Sequence, residues 1–258
     1  MLYIGTSGFD YPEWKGLFYP SDLKRKDFLA YYSTVFNALE INTSFYNMPT
    51  KEQLLSFYER SEGRLSFCLK ANRIFTHERT DDWLEKARVF KESVSVLQEK
   101  NVLNTILFQF PPTFAYSIYN RKYLGELLKE FSNFSTVIEF RNADWLRPSV
   151  FDGLQQRNSS LVFADIPQLL KNVESNLITR FVGPNAYIRF HEKNPNSWYA
   201  DKALPENVFS EEELKKFIPI IQQAQQENRT VSIFFYNHSQ ASGALAASKL
   251  TSLSKLSD

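Results

Sequence analysis

Three carboxylates, three cations and three histidines recur in one setting along this chain: Glu40, Glu139 and Asp165, then Lys70, Arg141 and Arg189, then His77, His191 and His238. Each stands at or shortly beyond the end of an apolar, β-branched or aromatic run. Carboxylates crowded together or partly buried have raised pKa values that suit proton transfer, so Glu40, Glu139 and Asp165 are acid and base candidates, with His191 beside them. The competing reading is structural: the same carboxylates can be neutralised by Lys70, Arg141 and Arg189. Neutral imidazole and carboxylate also bind zinc, manganese or iron, so a divalent metal is possible, although no local pattern such as HExxH supports one. Lys70 can act as a Schiff-base nucleophile if its pKa is lowered. A role as a cation for a ligand phosphate or carboxylate, with Arg141 and Arg189, is simpler because no partner for carbonyl chemistry can be named.

Uncharged groups occur at the same places. Ser7, Asn42, Gln109 and Asn237 close runs and can contact ligand hydroxyls, and Thr6 precedes Ser7. Aromatic residues follow: Tyr11 and Trp14, Phe45 and Tyr46, Phe114, Trp145, and Trp198 with Tyr199. They are candidate stacking platforms for sugars or unpaired bases, worth about 1 to 3 kcal/mol for each stacked base. Taken singly, each is more simply a loop anchor packed on a rim.

The elements that must position these groups are eight predicted strands: Leu2–Thr6, Ala38–Ile41, Leu65–Lys70, Thr105–Phe110, Thr136–Phe140, Ser160–Asp165, Ala186–His191 and Thr230–Tyr236. Most are continuous apolar runs without strict alternation, as parallel strands covered by helices require. Helical periodicity predicts helices over Asp27–Val35, Lys51–Ser61, Asp82–Lys100, Asn120–Glu130, Pro148–Gln156, Ser210–Glu227 and Ser242–Leu253. Thr50 with Gln53 reads as a capping box, and Ser210 before three glutamates reads as an N-cap with an acidic first turn. The connection from Ile166 to Asn185 reads as an irregular crossover, and Asn194–Val208 as a loop long enough to cover a barrel mouth. Eight runs closing on polar chemistry predict a TIM (β/α)8 barrel, the fold that places its active site where the strands end.

Composition agrees with this fold. A length of 258 residues suits one α/β barrel domain spanning residues 1–258, since such barrels typically take about 250 residues. Hydrophobic residues make up 43% and charged residues 23%, which is ordinary for a globular protein with a sizeable core. The net charge is +1 and the basic residues are scattered, which counts against electrostatic nucleic-acid binding while leaving a local cleft open. Cys68 is the one cysteine and reads as a small core residue. The N-terminus lacks the pattern of a secretory leader, and no stretch approaches the ~18 to 20 apolar residues of a membrane span. The expectation is a cytoplasmic protein with no membrane association.

Ordered motifs run the length of the chain. Gly5-Thr6-Ser7-Gly8-Phe9 precedes Tyr11, Trp14 and Gly16-Leu17-Phe18-Tyr19-Pro20. Glu40-Ile41-Asn42 follows with Phe45-Tyr46 and Pro49, then Phe67 with Lys70, Thr76-His77 and Gln109-Phe110-Pro111-Pro112. Glu139-Phe140-Arg141 with Trp145, Asp165, Arg189-Phe190-His191 with Trp198-Tyr199, and Asn237-His238 complete the series. In this the chain resembles the YecE-like TIM-barrel family, also known as domain of unknown function seventy-two. The resemblance implies a barrel related to sugar isomerases and to the endonuclease IV class, and implies no activity. The chain departs from the family pattern at Phe9, Glu192, Tyr236, Ala241 and Ala246, mostly around strands seven and eight.

Together these readings predict an enzyme acting on a polyhydroxylated or phosphorylated ligand at the C-terminal face of the barrel, by fold analogy a hydrolase or an isomerase. A nucleic-acid-binding or repair-associated protein and a noncatalytic scaffold are the alternatives.

Overall fold

The apolar runs become strands because parallel strands covered by helices must bury both faces. The computed structural model describes residues 1–165, 180–191, 209–236 and 241–255, with Asp165 by its backbone alone. Its strands are β1 (Leu2–Ser7), β2 (Ala38–Ile41), β3 (Ser66–Lys70), β4 (Leu103–Phe110), β5 (Thr136–Phe140), β6 (Ser159–Asp165), β7 (Asn185–Phe190) and β8 (Thr230–Phe235). All pair in parallel and in order, and β8 closes on β1. The protein is a TIM barrel, as the strand pattern predicted.

Helices cover the outside over Phe28–Val35, Lys51–Arg60, Trp83–Glu99, Ile118–Glu130, Pro148–Gln155, Glu211–Lys215, Ile218–Gln226 and Ser242–Lys255. Both expected caps form: Thr50 with Gln53 and Ser210 with Glu213 each satisfy two backbone groups at a helix start. The single helix expected over Ser210–Glu227 is instead two. Pro219 lies in the first turn of the second, where its missing N–H costs nothing, whereas continuing the first helix would set its ring against the carbonyl of Lys215. A one-turn helix at Thr43–Tyr46, which periodicity did not predict, follows β2. The expected irregular crossover lies mostly outside the described residues, and the Asn194–Val208 loop lies wholly outside them.

Side-chain alternation divides the core in two. Phe67, Leu69, Ile106, Phe108 and Ile138 face the helices and join the large core with Phe28, Phe90 and Phe131. Ala38, Cys68, Leu107, Val137, Val162, Tyr187 and Phe234 face inward and fill the barrel. Cys68 is buried there, as a small core residue. The register Gly5↔Ala38, Thr6↔Leu39, Ser7↔Glu40 fixes the next inward step of β1 and β2. Gly5 is required at this seam: a Cβ would lie 2.0 Å from the Ala38 carbonyl oxygen and 2.8 Å from the Tyr32 hydroxyl. That hydroxyl donates to the Ala38 carbonyl at 2.9 Å and accepts from the Thr6 N–H at 2.8 Å, tying the first outer helix to both strands.

Candidate functional site

One step beyond the dry interior, the same inward positions turn polar. Arg189 of β7, 1% exposed, holds the floor. Its Nη1 donates to Glu139 Oε2 of β5 at 2.5 Å, and its Nη2 donates to Glu40 Oε1 of β2 at 2.9 Å. Glu40 also accepts from the Ser7 hydroxyl, and from the Tyr187 hydroxyl at 2.7 Å. Ser7 in turn accepts from Asn42 Nδ2 at 2.8 Å. The loop after β1 is drawn in as well, because the Gly8 N–H donates to the Glu40 carbonyl at 2.9 Å and Gly8 has a φ of +94° that favours glycine. Four strands are thereby locked around one guanidinium.

Arg141 sits above Glu139 in ion-pair contact with it, and donates to His191 Nε2 at 3.3 Å. Burial alone would raise the Glu139 pKa. The guanidinium groups of Arg141 and Arg189, with His191, outweigh burial and hold the carboxyl well below the usual carboxylate range. His191, also buried, is pushed well below the usual imidazole value, first by desolvation and then by Arg141. It is a neutral imidazole at neutral pH.

Lys70 stands apart from these pairs. The Ser44 hydroxyl donates to the Lys70 carbonyl at 2.6 Å and Asn72 Nδ2 donates to the Ser44 carbonyl at 3.0 Å, so the turns after β2 and β3 are stapled together. This staple sets the Phe45 ring 4.1 Å from Lys70 Nζ. Lys70 makes no hydrogen bond or ion pair through its side chain among the described residues. Desolvation, then the charge of Arg189, lower its pKa from 10.5 to about 7. His77 stands edge-on to the same ring at 4.9 Å, with Thr76 Oγ1 2.8 Å from its Nδ1.

The structure thus brings together Ser7, Glu40, Asn42, Lys70, Glu139, Arg141, Arg189 and His191, with His77 and the exposed Tyr46 at the rim. Gln109 pairs in register with Glu139 and is half-buried, without a side-chain hydrogen bond among the described residues. Tyr11 reaches the loop behind, donating its hydroxyl to the Ser7 carbonyl at 3.0 Å. The Trp198, Asn237 and His238 positions and the Asp165 side chain lie outside the described residues.

One expectation requires correction. Trp14 and Trp145 are 0% and 1% exposed and offer no face to a ligand. Trp145 stacks on Phe140 and Phe114, at ring-centre distances of 4.6 and 5.0 Å, and donates its indole N–H to the Phe114 carbonyl at 2.7 Å. Both tryptophans anchor loops. Glu139 is held between two guanidinium groups, the neutralised arrangement that the competing structural reading expected.

Sequence reasoning missed Tyr187 and Tyr236. The signal was present in the two-residue step of a strand, since Tyr187 shares a face with Arg189 and Tyr236 follows Phe234 inward. Arg189 lies over the Tyr236 ring at 5.5 Å, and His191 stands 5.7 Å from that ring.

Comparison with known proteins agrees with this architecture. Residues 3–257 match the family described as "Protein of unknown function DUF72". The chain belongs to the DUF72 family. This DUF72 protein is 24% identical over 260 residues to the UPF0759 protein YunF of Bacillus subtilis strain 168, covering 95% of the chain and 91% of that relative. Among solved structures, a DUF72 protein of Thermotoga maritima MSB8 shares 27% identity over the whole of both chains, with a TM-score of 0.85. A DUF72 protein of Enterococcus faecalis V583, at 23% identity, covers 100% of this chain and 97% of that one, with a TM-score of 0.81.

In the DUF72 protein the two described carboxylates of the site are both engaged by Arg189, and no three potential metal ligands gather among the described residues. A recess of about 220 Å³ opens beside Glu40 and Asn42 against Tyr11. A larger cavity of about 390 Å³ lies where β1 begins, lined by Leu2, Asn37 and Gln222 among others. Asn37 there is spent on the Ile4 N–H and the Leu2 carbonyl, and Arg64 on Glu62. The smaller recess is walled by Leu39, Ile41 and Phe57 and is lined by none of Lys70, Glu139, Arg141, Arg189 and His191, so the charged cluster is defined by its contacts and not by either cavity. Among the described residues no helix is long and apolar enough to cross a membrane.

Proposed function

We propose that this DUF72 protein is an enzyme that takes a small hydroxylated ligand carrying a carboxylate or phosphate at the C-terminal mouth of the barrel. One observation carries the reading: the floor pairs Glu40 and Glu139 with Arg189 and Arg141, and Lys70 adds a further basic group that no described carboxylate neutralises. Among the described residues, two carboxylates against three basic groups give the mouth a positive surplus whenever Lys70 is protonated. Such a surplus in a partly desolvated recess favours anions more strongly than an exposed lysine does.

Each group has a part in this reading. Arg141, above Glu139, presents the guanidinium edge suited to a planar or tetrahedral oxyanion. Asn42 and Gln109 hold ligand hydroxyls. Neutral His191 is the group placed to relay a proton. Arg189 touches no ligand; it keeps Glu139 ionised, pairs with Glu40 and holds the strands in register.

Thermal-shift measurement with phosphorylated sugars, sugar acids and their uncharged parents tests the proposal. The anionic compounds stabilise the protein and the neutral parents do not, and Arg141→Gln loses most of the ligand-induced shift. Equal shifts from charged and uncharged compounds, or undiminished shifts in the variant, would overturn it.

A further inference from the structure

Lys70 has a nucleophilic nitrogen that the ion-pair floor does not use. Other lysines show what an ordinary partner looks like: Lys51 Nζ lies 2.9 Å from Glu92, and Lys91 pairs with Glu130. Lys70 has instead an aromatic ring at 4.1 Å, and it is sequestered at the end of an inner-facing strand position. The ionisable groups around it come from several elements: Arg189 on β7, Glu139 on β5 with Arg141 just beyond it, Glu40 on β2, and the His77 imidazole beyond β3. The two carboxylates are already drawn onto guanidinium groups, so their attraction for the ammonium is largely spent. A lysine desolvated beside other cations is the arrangement that yields a free amine near neutral pH. The staple through Ser44 fixes the Phe45 ring over it, so this environment is built into the turns.

We propose that Lys70 forms an imine with the carbonyl carbon of an aldehyde or ketone that also carries the anionic group, an oxo acid or a phosphorylated carbonyl compound. The inference rests on the anion-binding reading, because the anionic group is what holds the carbonyl at the mouth. The lone pair of neutral Nζ adds to the carbonyl carbon, and the carbonyl π pair moves to oxygen. Oxygen takes up the protons released by nitrogen and leaves as water, giving C=N. Amine and carbonyl thus yield imine and water with no change of oxidation state. His191, which lies within electrostatic reach of Lys70, is the neutral group assigned the proton transfers in this proposal.

Reductive trapping tests this on the whole wild-type protein. Pyruvate, dihydroxyacetone phosphate and uncharged dihydroxyacetone are added separately, cyanoborohydride reduces any imine to a secondary amine, and peptide mapping locates it. The reduced adduct is expected on the Lys70 peptide, with more from the two anionic probes than from dihydroxyacetone. The labelling rate at Lys70 rises to half its maximum near pH 7, while exposed lysines require a pH near 10.5. Lys70→Arg, which has no nucleophilic amine, loses the adduct. If that variant does not fold, the wild-type map and its pH profile decide alone. Adducts spread evenly over surface lysines, or none at Lys70 while anions still shift the melting temperature, overturn the imine and leave the anion site standing. Neither trapping nor any anion-induced shift would overturn both readings.

Discussion

Two successive layers of the barrel interior are made by the same strands. Ala38, Cys68, Leu107 and Val137 form a dry layer, and two residues further along the same chains stand Glu40, Lys70, Gln109 and Glu139. β7 makes the same step from Tyr187 to Arg189. Backbone geometry is shared, so composition alone turns a packing layer into a chemical one. Tyr187 belongs to both, with its ring in the dry layer and its hydroxyl on Glu40. The lower layer supplies a rigid, low-dielectric base, and that base is what perturbs the groups above it.

Breaking each layer separately tests the division. Arg189→Ala leaves buried Glu40 without its cation and Glu139 with Arg141 alone, and is expected to cost about 3 to 5 kcal/mol in urea denaturation. Leu107→Ala opens a cavity in the dry layer at about 2 to 5 kcal/mol, yet ligand-induced shifts survive in it while they vanish with Arg189→Ala. If both variants lose ligand response equally, the layers are not functionally distinct. Tyr187→Phe removes one hydrogen bond to a buried carboxylate and costs about 1.5 to 3 kcal/mol with the ring packing retained.

Acid and base titrations sharpen the contrast within the upper layer. Lys70 releases its proton near pH 7 when folded and near 10.5 when unfolded, so between these values the unfolded chain binds more protons and stability rises with pH. Lys70→Met removes that slope, which paired denaturation series at pH 7 and pH 9 would detect. Glu139 gives a slope of the same sign at the acid end, although there it is the charged form that the fold favours. Its folded carboxyl titrates below the ordinary 4.5, so its contribution is present above that value and declines as pH falls below it. Glu139→Gln should therefore flatten the acid limb of the stability profile. The smallest effect belongs to the rim: Tyr46, 66% exposed, changed to Ala should shift stability by no more than about 0.5 kcal/mol.

Much of this architecture was legible beforehand. All eight strands were found to within two residues at either end, because continuous apolar runs ending in polar residues have few other readings in a parallel sheet. The site was legible as a set of strand-end residues, since strands ending at one face of a barrel converge without any shared motif. What the pattern concealed was partnership. For Trp14 and Trp145 the pattern left both a rim platform and the simpler loop anchor open, because sequence position gives the end of a strand and not the direction of a loop side chain; burial decides for the anchor. The broken Ser210–Glu227 helix had a visible cause in Pro219, which apolar periodicity does not register.

The sequence by itself determined the barrel, its strand order and the eight strand ends on which polar groups stand, because periodicity and hydrophobicity are local properties. Tertiary structure alone decided which charges meet. Arg189 and Glu40 are 149 residues apart and Arg189 and Glu139 are 50 apart, and no local pattern records that one guanidinium takes both carboxylates. The same closure left Lys70 beneath Phe45 without an anionic partner among the described residues. Its low proton affinity is a property of that enclosure, set by desolvation and neighbouring charge.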